Sequence, residues 1–317
     1  MIHLRNPYFD NAKLILIFLV VLGHLIEKTM LSQPLPHYIY TFVYMFHMPA
    51  FILLCGFFSK DISSIPLKIK KLAIYYLVFE VIYAPFFFNN YTFPIEPYWV
   101  MWFLLSLIMW NIMLPFLIKF KHAIILVSLI GVMVGYVPNI GYGLSLSRTF
   151  VFLPFFVAGY YLKEFDFKRL NLPAVKVASI LFIAVIFVMN CKVAIPYRWL
   201  YGSFSYSALG NPEWYAGIYR MGIYAVSALL CLSFFAIVPH KKYRFTYMGA
   251  NTLNTYLLHG IFVVVISHAL ASLGGGLIGL ILVAFVLVVS LSSNVINRTV
   301  AIIANPNIHK HPVHKPL

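Results

Sequence analysis

Charged side chains are scarce in this chain: they make up 10% of its 317 residues, and only 8 are Asp or Glu. A soluble globular domain is about a quarter charged, so a water-facing surface of the usual kind is excluded. Intrinsic disorder is excluded too, because 62% of the residues are hydrophobic. Cysteine is rare as well. Cys55, Cys191 and Cys231 are an odd number, two of them inside apolar segments, and imply neither a disulfide framework nor a metal site. Long polar stretches are missing: the longest break between apolar windows runs from about residue 191 to 214, which leaves no room for a soluble domain. There are no heptads, no solenoid period and no clear internal duplication.

Apolar windows long enough to cross a bilayer core of about 30 Å fill the remainder. Ten are expected, over 12–31, 38–59, 71–88, 98–118, 122–138, 147–163, 174–191, 214–238, 250–272 and 275–298. The first is too long for a cleaved signal peptide and carries Asp10 and Lys13 at its mouth, so it is expected to remain in the mature protein. With the N-terminus inside, the 23 Lys and Arg divide unevenly: Lys28, Lys192 and Arg198 lie outside, Lys13, Arg148 and Arg220 lie within spans, and all the rest fall on inner segments. That positive-inside bias predicts an all-α polytopic membrane helix bundle of about ten transmembrane helices with both termini cytoplasmic. Residues 1–300 form the membrane domain, and 301–317, with the His- and Pro-rich "NPNIHKHPVHKP", form a cytoplasmic tail. The net charge of +15 therefore reports topology. It needs no nucleic acid partner, while basic inner loops suit membrane lipid or a phosphorylated cytosolic ligand.

Ionisable groups inside a bilayer are expensive, and each one retained is a candidate for function. Lys13 and His24 are eleven residues apart, three turns plus about 20° at 3.6 residues per turn, so they share a face and stand about 16 Å apart along the axis. Asp10 lies on the same stripe, and Glu27 sits one turn above His24. The first span thus carries a polar seam. Glu80, Arg148, Arg220, His47 and His259 are placed by the other spans where, with His24, they can line one chamber open to the outside. Packing gives competing accounts: a helix-to-helix hydrogen bond for His47 or His259, snorkelling for Arg148, a structural ion pair for Glu80.

The segments that carry these groups resemble the membrane acyltransferase-3 family, in particular its short members of the fucose 4-O-acetylase-like type. "DNAKLILIFLVVLGH" matches the family's opening Asp, basic residue and His at Asp10, Lys13 and His24. "FHMPAFILLCGFF" (46–58), "WFLLSLIMWN" from Trp102, "RTFVFLPFFVAGYYL" from Arg148 and "NTLNTYLLHGIF" from Asn251 resemble the later signatures in order. Lys13 stands where the family commonly has Arg, and Cys55 where a Ser is frequent. Lys offers a phosphate a point charge without the bidentate fork of Arg. The extra extracytoplasmic hydrolase-like domain of many relatives is not expected, so the protein acts alone or with a separate envelope-biosynthesis protein.

The resemblance implies a membrane O-acyltransferase that carries an acyl group, acetyl by family frequency, from cytosolic acyl-CoA to a hydroxyl of a cell-surface carbohydrate. His24 is the expected general base, with a covalent acyl-histidine as the alternative use of the same ring. Glu80 or Glu27 would fix its tautomer, and Arg148 or a neighbouring donor would stabilise the oxyanion. Lys13, with Lys70, Lys71, Lys241, Lys242 or Arg244, would hold the phosphates of acyl-CoA. Asp10, His47, Arg220, Tyr256 and His259 would bind the acceptor or support the site, and aromatics around "YWVMWF" would stack on a sugar ring. No metal and no tightly bound cofactor are required. The expected location is the cytoplasmic membrane of a bacterial cell. The rival is a transporter of a glycan, lipid or small anion along the same seam. Against it stands the lack of paired repeats or of Gly/Pro-broken spans in matching positions.

Overall fold

A computed structural model describes residues 6–86, 96–193, 195–273 and 276–304, without the side chains of 267–273 and 304. The residues beyond 304 in the expected tail, and the outer ends of the third and tenth expected spans, lie outside the described residues. Regular structure among the described residues is helical throughout. In chain order the helices are α1 (Pro7–Ile26), α2 (Pro34–Tyr44), α3 (His47–Phe57), α4 (Ile65–Tyr83), α5 (Trp102–Leu117), α6 (Ala123–Met133) and α7 (Leu146–Tyr161). They continue with α8 (Glu164–Leu170), α9 (Pro173–Lys192), α10 (Ala216–Ile237), α11 (Thr252–Leu273), α12 (Leu277–Leu291) and α13 (Asn294–Ala304).

Every expected window contains a helix, and among the described residues six apolar stretches are long enough to cross a membrane: Pro7–Ile26, Pro34–Phe57, Trp99–Leu117, Gly143–Tyr161, Pro173–Lys192 and Ala216–Ile237. Several windows differ from expectation in ways the local chemistry explains. α4 begins among Lys68, Lys70 and Lys71, which dilute its apolar run. α12 and α13 meet at an angle of 62°. α1 starts five residues earlier than predicted, because the Asn6 side chain accepts the Tyr8 N–H at 3.1 Å and Pro7 fits the first helical position. It also ends at Ile26, so His24 lies in its last turn and not beyond the middle of a span reaching residue 31. The second window is broken at Met45 and Phe46. Pro49 has no N–H to give the Met45 carbonyl, and Phe46 leaves helical geometry with φ −138°.

The chain forms two compact units, Met1–Tyr40 with Val238–Leu317, and Thr41–Ile237. In the first, α1 packs against α11, α12 and the 3-10 turn Thr246–Ala250. Leu16, Ile17, Val21 and Ile26 of α1 are buried along with Ala284 and Val288 of α12. Polar clamps fix the register: Asn251 donates to the Ser292 carbonyl at 2.9 Å, the Thr255 and Ser292 hydroxyls bond at 2.9 Å, and Asn254 donates to the Asn297 side chain at 3.0 Å.

In the second unit α7 is the central element, contacting α3, α5 and α6. The Ser106 and Thr149 hydroxyls bond at 2.7 Å, and Trp110 donates to the Thr149 carbonyl at 2.7 Å, locking α5 to α7. α3 and α7 touch backbone to backbone. A Cβ on Gly159 would stand 2.0 Å from the Leu53 carbonyl oxygen, and one on Gly56 1.9 Å from that of Phe156, so hydrogen is the only side chain that fits at either position. α9, by contrast, exposes Val177, Ile180, Leu181, Val185 and Val188, an apolar surface that water would not tolerate and lipid tails would. Gly159→Leu is expected to force α3 from α7 and to lower stability by about 3 kcal/mol, the upper end of overpacking costs, read as a drop in Tm of the detergent-purified protein.

Candidate functional site

The first unit gathers the polar seam of α1 and attaches it to a basic segment. Asp10 and Lys13 form an ion pair at 2.9 Å, with side chains 6% and 21% exposed, so Lys13 offers a positive charge already shared with a carboxylate. Asn11, between them, is the residue that sequence reasoning missed. Its amide donates to the Pro239 carbonyl at 2.8 Å and the Lys241 carbonyl at 2.9 Å, and its oxygen accepts the Thr246 hydroxyl at 2.7 Å. Tyr8 stacks on His240 with ring centroids 4.3 Å apart. The exposed Lys241, Lys242 and Arg244 are therefore fastened to the start of α1. Asn11 stands next to the family's opening Asp but reads as an ordinary polar residue until its partners, more than 200 positions away, are known.

At the other end of α1, His24 Nδ1 lies 3.5 Å from Glu27 Oε2. A carboxylate only accepts, so this contact favours the proton on Nδ1 and leaves the lone pair on Nε2. The His24 ring lies against that of His259, centroids 5.4 Å apart and planes tilted by 32°. His259 is fully buried, and its Nδ1 lies 2.7 Å from the Tyr256 carbonyl and 3.0 Å from that of Thr255. Carbonyls cannot donate, so Nδ1 of His259 carries the proton. Its Nε2, the acceptor in that tautomer, has no hydrogen-bond partner. Tyr256 thus contributes its backbone carbonyl to the lock, with its ring 6.1 Å from that of His259.

The second unit holds the other expected residues. His47 Nδ1 donates to the Val43 carbonyl at 2.8 Å, which joins α3 to the end of α2 across the break. Glu80 is buried, and its Oε1 accepts the Tyr98 N–H at 3.1 Å, which ties the end of α4 to the turn ahead of α5. Arg148 lies over the Trp102 and Tyr142 rings, 5.0 and 5.1 Å from their centroids, and its Nε donates to the Tyr201 carbonyl at 3.3 Å. The turn before it is strained: Leu144 and Ser145 both have positive φ, 48° and 55°. Trp102 of the "YWVMWF" stretch is thereby engaged with Arg148 as well as with Phe152. Arg220 is buried and donates to the Trp199 carbonyl at 2.8 Å. Lys70 is exposed and Lys71 half-buried near the start of α4. No cluster of His, Cys, Asp and Glu among the described residues has the form of a metal site.

The family model described as an acyltransferase domain, acyltransferase-3, matches residues 6–295. The chain belongs to the acyltransferase-3 family. That match spans both units and includes all the motif segments from Asp10 to His259. No curated protein and no solved structure matches the chain.

Tyr206, in the loop ahead of α10, donates to the Val132 carbonyl at 2.9 Å. Burial pushes its phenol above the ordinary value of 10.0, an effect the neighbouring Arg220 opposes. The phenol ionises more readily in the unfolded chain, so its contribution is intact below about pH 10 and is lost as pH rises through the folded value. Wild type should lose more Tm than Tyr206→Phe between pH 9 and pH 11, measured by intrinsic fluorescence.

Proposed function

We propose that this acyltransferase moves an acyl group, acetyl in the first instance, from cytosolic acyl-CoA to a hydroxyl of a cell-surface carbohydrate, with His24 as general base. The observation that supports the reading is the pairing of His24 Nδ1 with Glu27, 3.5 Å away, which favours the Nδ1–H tautomer and so makes Nε2 the basic nitrogen. Membership of an acyltransferase family favours transfer over the carrier alternative. The protein is read as a ten-span bacterial cytoplasmic-membrane protein with both termini inside, on the positive-inside distribution of its Lys and Arg.

In this reading the phosphates of acyl-CoA rest on Lys13 with Lys241, Lys242 and Arg244, whose segment Asn11 ties to α1. The pantetheine arm follows α1 toward His24, about 16 Å along the helix axis from Lys13. The acceptor hydroxyl attacks the thioester carbonyl as its proton passes to His24 Nε2. The new C–O bond forms, the C–S bond breaks, and the proton returns from Nε2 to sulfur, giving the ester and free CoA thiol. Glu27 stabilises the transient imidazolium. His259, held as the Nδ1–H tautomer, keeps the His24 ring oriented with a neutral neighbour, which does not repel that transient charge.

Two variants test this. With acetyl-CoA and envelope glycan supplied to the purified protein in nanodiscs, His24→Ala is expected to reduce thiol release and acetylation by about 10²–10⁴-fold while CoA still binds. Asn11→Ala releases the basic segment and is expected to raise KM for acetyl-CoA with kcat little changed. A wild type that releases no thiol with any acyl-CoA across a complete glycan panel would overturn the reading.

A further inference from the structure

Residues 239–245, PHKKYRF, lead into the 3-10 turn Thr246–Ala250 of the first unit and hold three cations and no acid. Lys241, Lys242, Tyr243, Arg244 and Phe245 are all exposed, Tyr243 at 38% and Phe245 at 50%. None of the three cations forms an ion pair among the described residues. The two rings stack on each other, centroids 5.3 Å apart and planes 3° from parallel, and among the described residues no other ring or cation lies against either. Each ring covers one face of the other and leaves its outer face exposed. The backbone beneath them is fixed. The Tyr243 N–H donates to the Thr246 hydroxyl at 2.8 Å, that hydroxyl donates to the Asn11 side chain at 2.7 Å, and Asn11 holds the Pro239 and Lys241 carbonyls. A Cβ on Gly249 would stand 1.9 Å from the Asp10 carbonyl oxygen, so the turn lies directly on α1.

Such a segment has two uncompensated features. Three like charges with no acid among them repel one another, and two exposed rings keep apolar area in contact with water. A partner that carries phosphate and a flat ring relieves both. An anionic lipid headgroup answers the cations but brings no flat ring to the stacked pair. We propose that Tyr243 and Phe245 form a stacking platform for the base of a nucleotide whose phosphates meet Lys241, Lys242 and Arg244. The base lies on the outer face of the ring pair, and the phosphates take charge-assisted hydrogen bonds from the cations. Because Asn11 and Thr246 already hold the backbone, binding has little loop ordering to offset. The nucleotide is the adenosine end of acyl-CoA, so the inference rests on the donor site proposed above and extends it from the phosphates to the base.

Two probes separate base from phosphate: 3′,5′-ADP carries both, and inorganic pyrophosphate has no base. Binding of each to the full chain in phosphatidylcholine nanodiscs is measured by calorimetry. Wild type is expected to bind 3′,5′-ADP about tenfold more tightly than pyrophosphate, a typical return for one base on an aromatic face. The double variant Tyr243→Ala, Phe245→Ala is expected to lose that preference and to keep its affinity for pyrophosphate, which also reports that it is folded. Tyr243→Phe, which retains the ring, is expected to keep the preference. KM for acetyl-CoA is expected to rise by about tenfold in the double variant. A wild type that binds both probes equally would overturn the platform whether or not the variant folds, and so would a double variant that binds 3′,5′-ADP as wild type does. Base-dependent binding by a wild type that releases no thiol would support the platform and overturn the transfer reaction; thiol release with KM unmoved in the double variant would do the reverse.

Discussion

Many buried polar side chains in this protein are held by backbone carbonyls, and much of the fold follows from that pairing. In an interior with so few charged groups, a buried donor has little else to meet, and leaving one unpaired costs about 1–3 kcal/mol. His47 donates to the Val43 carbonyl, Trp110 to that of Thr149, Arg148 to that of Tyr201, Arg220 to that of Trp199, and Tyr206 to that of Val132. Asn11 donates to two carbonyls at once. Each bond joins segments separated by a break or by a long stretch of sequence, so the polar residues act as the joints of an apolar bundle.

The same pairing marks the groups left over for chemistry. A carbonyl takes one proton of an imidazole and thereby determines what the other nitrogen can offer. In His259 it leaves Nε2 with a lone pair and no partner. In His24 a carboxylate acts in place of the carbonyl, and the side chain is 17% exposed. Arg220 has one N–H on a carbonyl and another on nothing. Joints and candidate functional groups are thus the same kinds of side chain.

Much of the candidate site was legible in the order of residues. The helical spacing of Asp10, Lys13, His24 and Glu27 follows from 3.6 residues per turn, and the observed α1 contains the first three with Glu27 at its end. The Asp10–Lys13 and His24–Glu27 contacts are three residues apart and need no tertiary information. Local pattern was less able to place ends. α1 is shifted toward the N-terminus by its Asn6 cap and Pro7, and the second span is broken before Pro49, both signals present in the sequence but overshadowed by continuous hydropathy.

The sequence by itself determined that the protein is helical, apolar enough for a membrane, and built on the motifs of one acyltransferase family, because composition, helical period and motif order are properties of the chain read in line. Only the tertiary structure decided the partners. That Asn11 fastens Lys241 to α1, that His259 lies on His24, that His47 bonds across a break in the helix, and that Arg220 holds the Trp199 carbonyl all depend on contacts across 4 to more than 200 residues. A hydrogen bond is directional and falls away within about an ångström of its best length. No one-dimensional pattern holds that information, and packing supplies it.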